Sequence, residues 1–350
     1  MIGVDISDKS IKIAEVTGRS NPQLRTVCWS ALAPNLIRRG VIQDIGVATA
    51  ALQDAFTKCS PGPVTTEEVV ASIPETQSFV RVLDLPEMSD RETEEAVQWA
   101  VRQHIPFDLD RVYLDWQPLP TSLQKKDRIQ LLVGAVQKDV VDPLLQVLDG
   151  AGLHVVALEL EAQAIARSLL PNKDAFDVHG VLIIDLGATS TNIIFFDEGT
   201  MKFTASVQIG GDDLTQKLAH ILHITPDMAA EKKALVGVEQ NKSGDDATVA
   251  VALHEAAIDL LRRIEKTVRE MAAQFQSDHF VRAILLSGGS ANLPGLRGVV
   301  AEVFPGIPIE IGNPWTNIYF DSKEKAPLSP QDASHFITAL GLALREPETL

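Results

Sequence analysis

Two stretches of this chain run an apolar segment into an aspartate and follow it at once with a turn of small, hydroxyl-bearing residues. In Val181–Phe196, VLIIDLGATSTNIIFF, four apolar residues lead into Asp185, a Gly-Ala-Thr-Ser-Thr turn follows, and a second apolar run spans Ile193–Phe196. This is the pattern of a β-hairpin whose first strand ends in a carboxylate. Such a turn presents backbone N–H groups and hydroxyls to a phosphate, and the aspartate stands where a phosphate-bound cation needs a hard oxygen ligand. The plainer reading is turn geometry alone, for which buried strands often end in Asp-x-Gly. The N-terminal GVDISDKSIKIAEV repeats the device: with Asp5 laid on Asp185, Ile6 falls on Leu186, Ser10 on Ser190 and Ile13 on Ile193. The repeat points to an internal duplication.

Two further segments could serve the same site. Gly210-Gly211-Asp212 follows an expected strand at Ala205–Ile209 and precedes an apolar helix with Leu214 and Leu218. Glycine there lets backbone approach a ligand, and the helix N-terminus points a positive dipole end at it. An ordinary strand-to-helix turn capped by Asp212 is the alternative. Ala283–Leu296, AILLSGGSANLPGL, runs from a strand into a Gly-Gly turn, with Asn292 and Pro294 ahead of the next helix. The eight histidines show no metal-ligand spacing, His220 and His223 reading as helix surface, and no Ser-His-Asp or Cys-His order is readable.

The elements that must position these turns can be read in order. Met1–Val16 forms the first hairpin, Val47–Phe56 has helical spacing ended by the 59–63 breaker, and Glu68–Ile73 is a buried strand closed by Pro74. Phe79–Leu85 alternates as a strand. Ser89-Asp90-Arg91-Glu92 is a capping box opening a helix that carries Ala96, Trp99 and Ala100 on one face and ends near His104. Strands around Val112–Gln117 and Ile129–Val136, joined by a polar turn at Thr121–Asp127, and a helix at Asp142–Asp149 complete a small α+β module. Farther on, Ile258, Leu261, Ile264, Val268, Met271 and Phe275 form a core-facing helical stripe, with Asp259–Arg263 and Glu265–Arg269 pairs on the wet side. Val238–Thr248 reads as a polar loop, and Ser334–Leu344 as a helix in which small residues permit close approach.

Composition agrees with a two-lobed α/β protein. The chain has 350 residues, 45% hydrophobic, and 31 basic against 47 acidic residues give a formal charge of −16. That field disfavours nucleic acid and anionic lipid as partners. Cys28 and Cys59, far apart in sequence, suit a reducing compartment and predict no structural disulfide. No segment approaches a membrane span and the start lacks a basic leader, so a cytoplasmic protein is expected.

Two such hairpins facing each other across a cleft resemble those of the actin/Hsp70/sugar-kinase superfamily, and Ala283–Leu296 is similar to its adenosine-binding segment. Ser72-Ile73-Pro74, the Phe79–Pro86 strand, Glu95 with Ala96, and His104-Ile105-Pro106-Phe107 resemble the insert of the PilM family, actin-like cytoplasmic proteins of type IV pilus assembly, more closely than that of FtsA, the cell-division relative. The likeness covers most of Met1–Leu344, through LELEAQAIARSLL at 158–170, IGGDDLTQKLA at 209–219 and SGGSANLPGL at 287–296. The cytoplasmic half of the secretion protein GspL shares the architecture but normally continues into a membrane segment.

The resemblance implies a two-lobed actin-like ATPase fold of duplicated ribonuclease-H-like cores. Residues 1–78 with 154–178 would form the first lobe, 79–153 an SHS2-like module inserted in it, 179–345 the second lobe with a subdomain around 215–280, and 346–350 a short acidic tail. It implies ATP and Mg²⁺ as cofactors. Asp5 and Asp185 would hold Mg²⁺ through water. Ser7, Ser10 and Lys12 on the first hairpin, and Gly187, Ala188, Thr189, Ser190 and Asn192 on the second, would contact phosphates. Ser7 stands opposite Gly187, where relatives usually carry glycine, so its Cβ is expected to crowd the phosphate or force a poorer turn. Gly210, Gly211 and Asp212 would bring backbone and a helix N-terminus to the nucleotide, and Gly288, Gly289 and Asn292 fall on its adenosine side. Glu231 and Lys233 fall on a helix contacting ribose and adenine, a solvated charged face being the other reading. Glu159 and Glu161 fall where an acid polarises an attacking water, Glu161 at the commoner position, or else they cap and solvate helix Ala162–Leu170. Implied partners are the N-terminal cytoplasmic tail of a PilN-like inner-membrane protein, an assembly ATPase and platform proteins, and further copies in a ring or filament, with the membrane reached only through the partner. FtsA-like polymerisation predicts a C-terminal amphipathic anchor, which the acidic end lacks. A small-molecule kinase needs a catalytic aspartate beside a substrate pocket, and none is readable.

Overall fold

The computed structural model describes residues 1–105, 108–119, 127–171, 178–239, 242–273, 281–320 and 326–346. The chain opens with β1 (Ile2–Ile6), β2 (Ser10–Thr17) and β3 (Gln23–Ala31), an antiparallel meander. A two-stranded ribbon, β4 (Ile37–Arg38) with β5 (Val41–Ile42), leads to α1 (Ile45–Phe56), whose N-cap Asp44 accepts from the Val47 N–H at 2.9 Å. β6 (Glu68–Ile73) returns parallel to β1. Every residue of β1 is buried, as a central strand covered on both faces must be.

The inserted module follows. β7 (Ser78–Pro86), α2 (Asp90–Arg102), β8 (Val112–Pro118) and β9 (Arg128–Gln137) build a three-stranded antiparallel sheet of order β7-β9-β8 with α2 packed on it. The expected capping box is present: Ser89 and Glu92 bond each other's backbone N–H. The buried face of α2, however, is Thr93, Val97 and Val101, and Trp99 is 66% exposed. Ala96, Trp99 and Ala100 do share a side of the helix, but β-branched residues turned to the sheet win the core. Most of the expected 121–127 turn lies outside the described residues. α3 (Lys138–Gly150) buries Leu144, Val147 and Leu148 among the core residues of the first sheet and packs on α1.

β10 (His154–Leu160) pairs parallel with β6 and passes directly into α4 (Glu161–Leu169). Then the opening pattern repeats as β11 (Val181–Leu186), β12 (Thr191–Asp197) and β13 (Thr200–Val207), followed by α5 (Gly211–Leu222), α6 (Pro226–Val236), α7 (Asp245–Ala272), β14 (Ala283–Ser287), α8 (Leu296–Val303) and β15 (Ile309–Ile311). The first sheet runs β3-β2-β1-β6-β10 and the second β13-β12-β11-β14-β15, both five-stranded. In each, an antiparallel meander lies beside two parallel strands: the duplication suspected from Asp5 and Asp185 is a duplication of sheets. α9 (Pro330–Ala333) and α10 (Ile337–Ala343) close the chain, and α10 crosses back onto β1 and α4.

α7 buries Leu261, Ile264, Val268 and Met271 in the second lobe's core, as the stripe predicts; Phe275 lies outside the described residues. It also takes in 245–248, expected as loop. Glu265 pairs with Arg269 at 2.6 Å, whereas Asp259 reaches Lys217 of α5 at 2.5 Å rather than Arg263. The cysteine expectation is corrected: Cys28 and Cys59 form a disulfide. Val27 and Ser60 exchange backbone hydrogen bonds of 3.0 and 2.9 Å, which bring β3 and the loop after α1 together. Among the described residues, no helix is long and apolar enough to cross a membrane.

Candidate functional site

The two hairpins end in matching turns. Asp5 stands opposite Lys12 across β1 and β2, and Asp185 opposite Asn192 across β11 and β12. The Ser7 N–H donates to the Ser10 carbonyl at 3.0 Å and the Gly187 N–H to the Ser190 carbonyl at 3.0 Å, so one bond closes both turns. Of the two costs expected for serine in place of glycine, the poorer turn is not seen. Ser7 has no left-handed backbone, and its hydroxyl donates to the Ser10 carbonyl at 3.0 Å, which secures the turn.

Carboxylates gather where the strands end. Lys12 Nζ is 2.9 Å from Asp5 Oδ2, and the Ser72 hydroxyl is 3.3 Å from Asp5 Oδ1. Burial alone would lower the Lys12 ammonium, but the attraction of Asp5 outweighs it and holds Lys12 above its usual value. Burial pushes Asp185 above the ordinary carboxylate range. Glu161, the first residue of α4, accepts from Asn192 Nδ2 at 2.9 Å, and burial, with Asp5 and Glu75 nearby, pushes it up to about 8. One lysine thus faces more acid than it can neutralise. A site arranged in this way gains from a further cation.

Between the hairpins lies a cleft of about 610 Å³. It brings together Ser7, Ser10 and Lys12 from the first lobe with Ala188, Gly211, Asp212, Lys233, Gly289 and Asn292 from the second. Lys233 Nζ donates to the Gly211 carbonyl at 2.7 Å, and burial lowers its pKa. Gly288 has φ +82° and a Cβ there would meet the Leu186 carbonyl at 2.6 Å, so this corner admits only glycine without rearrangement. At Gly210 a Cβ would strike the Ala188 carbonyl, which explains that glycine by close packing on the second turn. Asn292 donates to the Ser334 hydroxyl at 2.7 Å, tying this loop to the segment before α10.

The lobes also touch at the cleft mouth. Lys9 and Asp212 form an ion pair of 2.7 Å, and the Thr189 hydroxyl lies 3.3 Å from Asp8 Oδ2. Both members of the ion pair are substantially exposed. Lys9→Ala is therefore expected to cost less than about 1 kcal/mol in urea unfolding, and molar salt should erase the difference from the parent protein.

Asp5, Asp185, Asn192 and Glu161 gather at the hairpin bases and do not themselves line the cleft; Glu159 and Glu231 stand elsewhere. Glu159 is buried away from the cleft, where both Arg167 terminal nitrogens and Arg345 bind its carboxylate. Glu231 is on the exposed side of α6 and does not line the cleft, while Lys233 does. Sequence reasoning missed Lys9, Trp29, Ser290 and His335, which line the same space. Trp29 stands directly opposite Lys12 in the β2–β3 register, so the pairing of the meander was a usable signal for it. His335 had none: it arrives from a 3₁₀ turn far along the chain and lies against Gly289.

The residues present fit a nucleotide with its cation. Asn192 Oδ1 is buried beside Asp185 without a protein partner, an acceptor left for water or ligand. Among the described residues no three His, Cys, Asp or Glu side chains form a group that could hold a metal ion. Such a donor set suits a cation that keeps much of its water and leans on one or two carboxylates, as Mg²⁺ does.

A family model described as "Type IV pilus assembly protein PilM" matches residues 3–347. The cell division protein FtsA of Streptococcus pneumoniae is 23% identical over 337 residues, covering 86% of this chain and 73% of FtsA. FtsA of Neisseria meningitidis is 24% identical over 297 residues, covering 76% and 69%. Among solved structures, a PilM-PilN type IV pilus biogenesis complex aligns with a TM-score of 0.84 at 24% identity, covering 98% of this chain and 97% of that one. MreB5 of Spiroplasma citri bound to AMPPNP aligns at 0.55 and 14% identity, covering 97% and 93%. These likenesses give the architecture as the two-lobed actin-like fold.

Proposed function

This chain belongs to the PilM family of type IV pilus assembly proteins, and from that membership we propose that it is a nucleotide-binding scaffold which holds the N-terminal cytoplasmic segment of a PilN-like inner-membrane protein and links the assembly motor to the envelope complex. The observation that carries the nucleotide half is the pair of matching turns, with Asp5 and Asp185 at their bases, on either side of one cleft. Backbone N–H groups and hydroxyls of Ser7, Ser10, Thr189 and Ser190 would hold the phosphates, with Lys12 beside them. Asp5 and Asp185 would take Mg²⁺ through its water shell, and the cation would supply charge neutralisation of the phosphates. Gly211, Lys233, Gly289 and Asn292 would line the adenosine side. Glu161, at the hairpin bases, would orient a water, and a pKa raised to about 8 would keep it protonated near neutral pH, which suits binding with slow turnover at most.

The partner half is supported by the likeness to a PilM-PilN complex and by a second cavity, of about 870 Å³, walled by both lobes and the module. Val16, Arg19, Gln117, Leu132, Phe196 and Arg345 are among its walls. An extended peptide fits such a groove by backbone pairing and side-chain pockets. Nucleotide closing the cleft would shift the lobes and bias the partner, provided the partner prefers one lobe angle.

Calorimetry with Mg·ATP, on the parent protein and on Asp185→Ala, tests both halves when repeated with a synthetic peptide of the partner's N-terminal segment. Micromolar ATP binding weakened at least about tenfold, or about 1.4 kcal/mol, in the variant is expected, with peptide affinity that changes when ATP is present. Failure of the parent protein to bind ATP overturns the nucleotide half, and failure to bind the peptide overturns the partner half.

A further inference from the structure

Glu159 and Glu161 lie two residues apart and have different surroundings, the wall of the second cavity for one and the hairpin bases for the other. Glu161 sits at the bases of the two hairpins, where Asn192 donates to it at 2.9 Å and the charges of Asp5 and Asp185 act on it. Glu159 forms part of the wall of the second cavity and is buried there. The strand β10 ends and α4 begins between them, at Leu160.

The grip on Glu159 extends to the whole of α4. Arg167 Nη1 donates to Glu159 Oε2 at 2.7 Å, and the guanidinium's other terminal nitrogen holds Oε1. Arg167 sits on the helix that Glu161 opens, so the ion pair ties the last turn of α4 back to the strand before it. The same Arg167 Nη1 donates to the Gly341 carbonyl of α10 at 2.9 Å, and Arg345, just past α10, approaches Glu159 Oε1 at 3.4 Å. Asn317 closes the other side by donating to the Arg167 and Leu170 carbonyls at 2.8 and 2.7 Å. α4 is nine residues long and buried over most of its surface, so it moves as a body or not at all.

We propose that Glu159, held by Arg167 and Arg345, is a positioning residue for Glu161: it fixes the start of α4 and thereby connects the wall of the second cavity to the nucleotide cleft. A bidentate arginine–carboxylate pair specifies an orientation, which a neutral amide holds less firmly. An occupant of the second cavity that drew either arginine away from Glu159 would loosen Glu161, and the nucleotide would sense it. The inference rests on the nucleotide reading of the cleft.

A double-mutant cycle on the full chain tests it, with Mg·ATP dissociation constants read by calorimetry for the parent protein, Glu159→Gln, Glu161→Gln and the double variant. Glu159→Gln is expected to weaken Mg·ATP at least about threefold, and to change it by less than about 1.5-fold once Glu161 is already glutamine. Equal effects in both backgrounds would assign Glu159 a general structural role and overturn the inference, as would no effect in either. If Glu159→Gln does not fold, Arg345→Gln takes its place in the same cycle, since it removes one of the two grips and leaves the other. A parent protein that binds no Mg·ATP instead overturns the nucleotide reading on which the inference stands, a result distinct from additivity.

Discussion

Gly341→Ala lowers unfolding stability by about 3 kcal/mol or more, read as the denaturant midpoint at unchanged slope. α10 crosses α4 so closely at this point that a Cβ on Gly341 would fall on the Ala164 carbonyl, with the Ala164 Cα only 3.0 Å away. These are backbone atoms in a helix buried between two sheets, and no flexible side chain can give way. Helix propensity argues the opposite: alanine is favoured over glycine in a helix interior by about 1 kcal/mol. Packing wins because overpacking against backbone costs about 1–3 kcal/mol, or more where neither helix can retreat. Gly298 supplies the control. It lies within α8, a Cβ there would meet nothing within 4 Å, and its φ is not left-handed. Gly298→Ala is expected to be neutral or to add up to about 1 kcal/mol. Equal behaviour of the two variants would contradict the close crossing of α4 and α10.

Glu161→Gln stabilises the nucleotide-free protein at alkaline pH, and the gain fades as pH falls. Burial first, then the charges of Asp5 and Glu75, raise the folded-state pKa of Glu161 to about 8 from an ordinary value of 4.5. The folded protein therefore holds a proton that the unfolded chain has released anywhere between those values, and stability declines as pH rises through the interval. Above about pH 8 the fold bears a buried, poorly compensated carboxylate. Glutamine keeps an acceptor for Asn192 and carries no charge. The residue is only half-buried, so water trims the effect to on the order of 1–3 kcal/mol at pH 9, shrinking toward zero near pH 4.5. Thermal melts across that range, in chelator to exclude divalent ions, make the check. A parent-to-variant difference that is flat with pH would mean that Glu161 titrates normally.

The parts of the site that the sequence made legible are those built from neighbours in the chain. Asp5 and Asp185 sit opposite Lys12 and Asn192 because a short hairpin has one register, set by its turn, and strand alternation is a local property. The capping box at Ser89 and Glu92 was readable for the same reason. Faces decided by distant partners were not. Nothing local to α2 says that Val97 and Val101 meet the module sheet while Trp99 faces solvent. Nothing local to Cys28 says that the Val27–Ser60 bridge will bring Cys59 beside it.

The glutamates show the division most clearly. By itself the sequence determined that two acids precede a helix, that two phosphate-type hairpins recur, and that the chain has the wording of an actin-like family, because each of these is spelled by residues within one turn or one repeat of each other. The tertiary structure decided that Glu161 meets Asn192 at the base of the second hairpin while Glu159 is claimed by Arg167 and Arg345. That choice depends on where β10 gives way to α4 and on which arginines α4 and the end of α10 bring near, and both are set by packing between segments far apart in the chain.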